Sequence, residues 1–314
     1  RAWRLARPID EWPVPDTVQA LLAARIDRLP DVLRGRLQTA AVIGQHFDAG
    51  LLATLDGVAE VDEDIAALEE LGFVHHRDGG GIAFCHPLVQ EVAYRSQLET
   101  RRRGVHARLA ALLESRYGSP EGAPQEGSLR IAHHWQCAAE WARAGQWNLL
   151  AVRWALAHNI MVAAEQFRRA LANYDRAPES PEVIRGRIAA RAGLIRIAQF
   201  ASIGDAEIER AYQEARAMAA ASSDVAGHAE VLISYGNELL HQGQVDAGAH
   251  MHEEAIGLCF EHGQTELINR FRLSVLLSFN AAGRLRRILE VLDAAGGDWR
   301  VRPVDAENFQ SRGF

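Results

Sequence analysis

Lysine is absent from this sequence, so all 34 of its cationic side chains are arginine. A P-loop needs a lysine that reaches the β- and γ-phosphates of a nucleotide, and Schiff-base catalysis needs a lysine amine. The composition therefore excludes both kinds of chemistry from this chain. No catalytic residue can be assigned, because no Ser-His-Asp or paired-carboxylate arrangement stands out, and we expect this chain not to be an enzyme by itself.

Cysteine is also scarce. Cys85, Cys137 and Cys259 lie far apart without a C-x-x-C motif, which argues against a disulfide framework or a zinc site and indicates a reducing compartment. No apolar run approaches the roughly 20 residues of a membrane span, and no signal peptide is visible. We predict a cytoplasmic chain with no membrane partner. Because it begins at Arg1 without methionine and ends in a polar stretch at Phe314, we expect a piece of a longer polypeptide.

Net positive charge is missing as well. With 34 basic and 41 acidic residues, the formal net charge of −7 disfavours nucleic acid or an anionic membrane as the main partner. The 314 residues, 48% of them apolar, suffice for two or three packed domains.

The first part of the chain, residues 1–117, has the pattern of a winged-helix-like unit. Helices are predicted at 16–28, 31–44, 48–56 and 61–72. The period then changes to that of strands at 73–77 and 82–86, and three glycines between them favour a β-hairpin. Two further helices are predicted, at 87–98 and 100–117.

Residues 118–127 are rich in glycine and proline and are predicted to be a linker. From 128 to 314 the pattern is helical, and its cadence predicts an α-solenoid of degenerate tetratricopeptide-like (TPR-like) helix pairs, truncated at the C-terminus. The overall fold class predicted is thus mainly α. Helix breaks are expected near Gly145, Asn159, Pro178–Pro181, Gly204, Ser222–Asp224, Gly243, Gly263, Gly283 and Gly296.

The repeat pattern places bulky and small residues at fixed offsets, so that two helices can approach closely. One unit follows W-x2-L-A-x2-W and then A-x3-F-x2-A, and a later one fits at the same offsets with other residue types. The packing positions predicted are Trp147, Leu150, Ala151, Trp154, Ala163, Phe167 and Ala170 in the first unit and Tyr235, Gly236 and Ala255 in the later one.

Four segments, VPDTVQALLAARIDRLP, LQTAAVIGQHFD, FCHPLVQEVAYRSQLETRRRGVHARLAALLE and AHHWQCAAEWARAGQW, carry a resemblance to a known family. They resemble the region after the ATPase core of bacterial AAA/STAND-type signalling ATPases, above all multidomain class III adenylate/guanylate cyclases. The resemblance implies a winged helix packed on upstream ATPase and cyclase domains, which would bind ATP or ADP with Mg. It also implies that the repeats receive a protein or small-molecule inducer. The alternative is the sensor region of a LuxR-type transcriptional regulator.

His86 is the candidate cofactor-binding residue. It stands between the second strand and the helix PLVQEVAY, and the resemblance implies that it donates a hydrogen bond to the β-phosphate of ADP in the parent protein. An imidazole N–H close to a helix N-terminus favours an anion. A purely structural histidine is the alternative interpretation.

Other candidates favour structural interpretations. The 61–72 helix is acidic and would repel a DNA backbone, so no nucleic-acid partner is predicted. Arg101–Arg103 are expected on a solvated helical face, and docking on an acidic partner surface or on a phosphate is the alternative. The pairs His75–His76 and His133–His134 lack the i, i+4 spacing of helical metal ligands, and no metal site is predicted. Four tryptophans that recur every six or seven residues are expected in the core: Trp135, Trp141, Trp147 and Trp154.

Overall fold

The computed structural model describes residues 16–117 and 125–294, and these form fifteen helices and three short strands. They divide into two compact units. The first, the winged-helix-like unit, comprises the described residues up to Leu113 together with Cys137–Ala139. The second, the helical array, comprises Glu114–Gln136 and the described residues from Glu140 onward.

The winged-helix-like unit begins with two helices and a short strand. Two more helices, a pair of strands and two final helices follow. A three-stranded antiparallel sheet in the order β1-β3-β2 pairs His46 with Ala83 and Val74 with Phe84. Its elements are α1 (Asp16–Asp27), α2 (Asp31–Ile43), β1 (His46–Phe47), α3 (Ala49–Asp56), α4 (Asp62–Glu70), β2 (Val74–His76), β3 (Ile82–Phe84), α5 (Pro87–Arg95) and α6 (Glu99–Tyr117), the last of which continues into the array.

The sheet differs from the sequence prediction of a single hairpin, because β1 adds a third strand. With only two residues, β1 is too short to show a period-2 pattern, and its pairing with β3 comes from tertiary contact alone. The helix that follows β1 begins and ends at residues with clear capping roles. Asp48 caps α3 by accepting from the Leu51 amide at 2.9 Å, and Gly57 ends that helix in the left-handed region.

Charged side chains tie three helices of this unit together. Arg36 on α2 donates to Asp56 at the end of α3 at 2.6 Å and to Asp64 on α4 at 2.9 Å. The second oxygen of Asp56 accepts from the Thr39 hydroxyl at 2.8 Å. The Arg36 side chain is only 15% exposed, so this network lies largely out of water.

The helical array consists of consecutive helices joined by short connections, which is the α-solenoid predicted. One apolar core runs along it from Val152 to Val291. The helices are α7 (Gln125–Cys137), α8 (Trp141–His158), α9 (Ile160–Tyr174), α10 (Pro181–Ala201), α11 (Asp205–Ser222), α12 (Val225–His241), α13 (Val245–Glu261), α14 (Thr265–Ala281) and α15 (Leu285–Ala294).

The predicted linker, 118–127, lies partly outside the described residues, and its last three positions begin α7. The expected break near Gly296 and the end of the array also fall outside them. The break expected near Gly145 lies earlier, between Cys137 and Trp141, and α8 runs through Gly145 itself. Gly145 serves instead as a point of close approach: a Cβ there would lie 2.8 Å from the Tyr174 ring.

From α12 onward the array has a regular half-repeat, since successive helices begin at 225, 245, 265 and 285. Each of the three turns places a glycine in the left-handed region, at Gly243, Gly263 and Gly283. In each turn the amide after the glycine donates to a carbonyl five residues back, as Gln244 does to Leu239 at 2.8 Å. This Schellman geometry needs a residue without a Cβ penalty at the helix end.

None of the described helices is both long and apolar enough to cross a bilayer.

Candidate functional site

His86 lies at the junction of β3 and α5, where it caps the helix. Its Nδ1 accepts from the Leu88 amide at 3.0 Å, and Pro87 occupies the first helical position. Because Nδ1 is the acceptor, the ring proton is on Nε2. The side chain is exposed. The residue therefore combines a structural cap with an outward N–H donor close to a helix N-terminus.

Hydrogen bonds to the backbone hold the two residues that precede His86 in place. The Phe84 amide donates to the Gln45 carbonyl at 3.1 Å, while the Gln45 side chain donates back to the Phe84 carbonyl at 2.9 Å. The Cys85 amide donates to the Phe73 carbonyl at 3.0 Å. The imidazole thus projects from an anchored strand end.

The α4 helix follows α3 in the order that places a recognition helix in DNA-binding winged helices. Its exposed charged side chains are all acidic, namely Asp62, Glu63 and Glu70. Backbone and side-chain hydrogen bonds from His76 hold the pKa of the Glu69 carboxyl below its usual range, so it is ionised. A negatively charged helix would repel the phosphate backbone of a nucleic acid.

The arginine run at the start of α6 is engaged with neighbouring side chains of its own unit. Arg103 pairs with Glu99 one turn earlier, and the Arg102 guanidinium lies 4.8 Å from the centre of the Tyr94 ring. Arg101 and Arg103 are exposed.

The predicted core tryptophans separate into two kinds. Trp135 and Trp147 are buried, and both indole N–H groups donate to Glu114 Oε1, with a distance of 2.6 Å from Trp135. Trp141 and Trp154 are only half-buried. Sequence reasoning missed Glu114, because it lies 21 and 33 residues from its partners and no local pattern connects them.

The predicted packing positions line the interior of the array to different degrees. Leu150, Trp154 and Tyr235 are half-buried, and the Tyr235 ring stacks on Tyr212 at 3.8 Å between centroids. The buried positions are Trp147, Ala151, Ala163, Phe167, Ala170, Gly236 and Ala255.

A polar ladder lies inside the first full helix pair. Asn148 on α8 donates to Gln166 on α9 at 2.9 Å and accepts from Asn173 at 2.8 Å. All three side chains are buried. Amide groups that satisfy each other in this way fix the register of α8 on α9, since a shift would leave them without partners.

From α9 onward, ion pairs join helices of the array to the helix two places along. Three of them place arginine on the earlier helix and glutamate on the later one. They are Arg168–Glu207 at 2.9 Å, Arg196–Glu230 at 3.1 Å and Arg216–Glu254 at 2.6 Å.

A groove of about 520 Å³ lies between α8 and α10, with Tyr174 of α9 as part of its lining. Gly186 and Ala189 form part of the lining, and the Tyr174 ring packs against Gly186, where a Cβ would lie 2.3 Å from it. Its charged and polar rim consists of Arg143, Gln146, Glu182 and Arg185. Burial raises the pKa of Tyr174 to about 12, so its hydroxyl remains a neutral donor.

The histidine pairs lie in different surroundings. His75 and His76 are exposed on β2, whereas His134 is buried in α7 and its neighbour His133 is exposed. Partial desolvation by the surrounding protein and the charge of Arg169 lower the pKa of His133. Within residues 16–117 and 125–294, no three histidine, cysteine or acidic side chains are grouped to hold a metal ion.

Comparison with known proteins finds no matching family model and no match among curated proteins. Among solved structures, the chain is similar to a STAND protein with a tetratricopeptide repeat sensor from Pyrococcus horikoshii, with 12% identity and a TM-score of 0.33. That match covers 91% of this chain, which spans about half, 53%, of the other protein. A second similarity is to BtubC from P. vanneervenii, with 15% identity, a TM-score of 0.33, and coverage of 92% of this chain and 96% of that one.

Proposed function

We propose that this chain is a regulatory, protein-interaction region of a signal-transducing ATPase. The helical array receives a signal, and the winged-helix-like unit passes it to a nucleotide switch. The observation that carries the proposal is the joining, in one chain, of a winged-helix-like unit with an acidic α4 to an array of helix pairs. The acidic helix disfavours DNA, and arrays of this kind present extended binding surfaces.

The groove between α8 and α10 supports an inducer site. Its rim offers two guanidinium groups and one carboxylate beside the Tyr174 ring, a combination that would fit a ligand with both anionic and cationic groups. Signal binding would bias the ATP/ADP equilibrium of an upstream core through differential contacts in its two states.

The sequence resemblance extends the proposal to a class III adenylate/guanylate cyclase as the output. In the parent protein, ATP or ADP with Mg would be bound by the ATPase core. His86 would donate from Nε2 to the β-phosphate of ADP and hold the off state.

The first test is nucleotide binding by residues 1–314. We expect isothermal titration calorimetry with Mg-ATP or ADP to show no binding, because we place the nucleotide site in the parent's ATPase core. Micromolar affinity would contradict the assignment of this chain as a regulatory region without its own nucleotide site.

The second test separates the two roles of His86 in the parent protein. His86→Asp keeps an acceptor for the Leu88 amide but removes the N–H donor and adds a negative charge. We expect ADP to dissociate at least tenfold faster and basal output to rise, whereas His75→Ala, at another exposed histidine, changes neither. An unchanged ADP off-rate in His86→Asp would refute the sensor role.

A further inference from the structure

The groove between α8 and α10 is present because these two helices are held apart. α10 packs extensively on α12, but it makes few direct contacts with α8. The hydroxyl end of the Tyr174 ring lies between them, against Gly145 of α8 and Gly186 of α10. Tyr174 is therefore a spacer, and its hydroxyl end forms part of the groove lining.

This spacer belongs to one helix pair of the array. Tyr174 follows the buried repeat alanine Ala170 by four residues. Counted from the repeat alanines of α11 and α13, the same position holds smaller side chains, Ala219 and Cys259. The connection 175–180 also has six residues, whereas three join α10 to α11. A larger side chain and a longer connection coincide here, so the wide spacing of α8 and α10 is specific to this junction.

Three charged side chains at the groove have no ion-pair partner among the described residues. They are Arg143 of α8 and Glu182 and Arg185 of α10. The three other arginines of α10 each pair with a carboxylate. Glu182 and Arg185 stand one turn apart on the same side of the helix, yet they do not pair with each other. The Arg143 guanidinium lies 4.2 Å from the centre of the Trp135 ring, a contact that positions the group without neutralising its charge.

The polar groups that line the groove are mostly hydrogen-bond donors. The two guanidinium groups and the Tyr174 hydroxyl can each donate to a carboxylate oxygen, and so can the Gln146 amide. Among the described lining residues, Glu182 alone is acidic, and its carboxylate suits an ammonium group. The complement of two guanidiniums and one carboxylate is a ligand with two carboxylates and one ammonium. The groove volume of about 520 Å³ is in the range of small-molecule sites.

We propose that the groove binds an acidic α-amino acid of the glutamate or aspartate type. Glu182 and Arg185 bind its ammonium and α-carboxylate, and Arg143, across the groove, binds its side-chain carboxylate. The ligand thus bridges α8 and α10, whose direct contacts are few. The inference deepens the proposed function, because it names the chemical class of the inducer, and it rests on the array being a sensor.

Isothermal titration calorimetry of residues 1–314 with L-glutamate and L-aspartate tests the ligand class. We expect at least one of them to bind with a Kd below about 1 mM. L-Glutamine lacks the second carboxylate and glutarate lacks the ammonium, so each should bind at least tenfold more weakly than L-glutamate. For L-aspartate the corresponding probes are L-asparagine and succinate.

Substitutions assign the three charges to the groups of the ligand. Arg185→Gln should weaken L-glutamate and L-glutamine alike, because both carry the α-carboxylate. Arg143→Gln should weaken L-glutamate at least tenfold and leave L-glutamine unchanged, since glutamine has no side-chain carboxylate. Glu182→Gln should abolish the preference for L-glutamate over glutarate. Arg153→Gln is the matched control, because Arg153 is exposed on α8 outside the groove, and it should change none of these affinities.

Three results would overturn the proposal. The first is no binding of either amino acid up to about 10 mM. The second is equal affinity for glutarate and L-glutamate, which would show a site for dicarboxylates. The third is equal weakening by Arg143→Gln and Arg153→Gln, which would show attraction by positive charge in general.

Circular dichroism should show the same helicity in all of these variants, since the replaced side chains are exposed. A failure of the amino-acid test would leave the nucleotide and His86 tests to decide the signalling role separately. Conversely, amino-acid binding with an unchanged ADP off-rate in His86→Asp would keep the ligand site and reject the sensor role of that histidine.

Discussion

The two units of this chain are held together in different ways. In the winged-helix-like unit, side chains bridge residues far apart in sequence: Gln97 donates to the Gln38 carbonyl at 2.9 Å, and Arg36 joins three helices. In the array, the helices pack on those one or two places away along the chain, as α10 does on α9, α11 and α12, and glycines let the helices approach. In the first arrangement, a destabilising substitution should affect the whole unit. In the second, its effect should stay within adjacent helix pairs.

The largest expected effect is in the array. At Gly193 on α10 a Cβ would lie 2.2 Å from the buried Phe167 ring, so Gly193→Ala should destabilise the array by about 3 kcal/mol through overpacking. Hydrogen-exchange mass spectrometry should show faster amide exchange in α9 to α12. The exchange rates in α2 to α5 should not change. Gly257→Ala is the matched control, because that helical glycine has open space and alanine favours the helix. Equal effects of the two substitutions would contradict this account.

The winged-helix-like unit should respond to loss of one charge. Arg36→Met keeps the apolar stem but leaves Asp56, 10% exposed, without its cation, and we expect about 2 kcal/mol of destabilisation. Exchange should rise throughout α2, α3 and α4 and stay unchanged in α12 to α14. Arg34→Met is the control at under about 0.5 kcal/mol, since its partner Asp31 is 90% exposed. Protection lost only around α2 would argue against whole-unit coupling.

Acid should weaken the array locally at His252. Its Nε2–H donates to the Ile233 carbonyl at 3.2 Å, Nδ1 is buried without a partner, and burial lowers its pKa from 6.5 to about 4. The folded array therefore favours the neutral ring, and stability is lost as pH falls from 6.5 towards 4. At pH 5 this loss is about 2 kcal/mol.

The measurement is urea unfolding of the protein and of His252→Gln at pH 7.5 and pH 5. The glutamine retains a donor for the carbonyl but does not titrate. We expect the protein to lose about 2 kcal/mol more than the variant between these pH values. Equal losses would show that His252 does not control the acid sensitivity of α12 and α13.

Most of the array was predictable, because its breaks depend on local chemistry. Asn159 caps α9 by accepting two amides, and glycines end α12, α13 and α14 in the left-handed conformation. The break was predicted too late in the sequence because of Gly145. A glycine that ends a helix cannot be distinguished by sequence alone from one that lets an aromatic ring pack closely within a helix. The predicted sensor residue His86 lies at an anchored strand end, but no sequence signal indicates that its Nδ1 is committed to the cap.

The sequence by itself determined the helical class, the hairpin, the repeat cadence and the absence of lysine chemistry. These features follow from residue type and from spacing along the chain. Only the tertiary structure decided that Glu114 receives two indoles, that β1 joins the sheet, and that Arg143 and Arg185 line one groove. The physical reason is that these outcomes depend on which distant surfaces meet, and local propensity carries no information about such contacts.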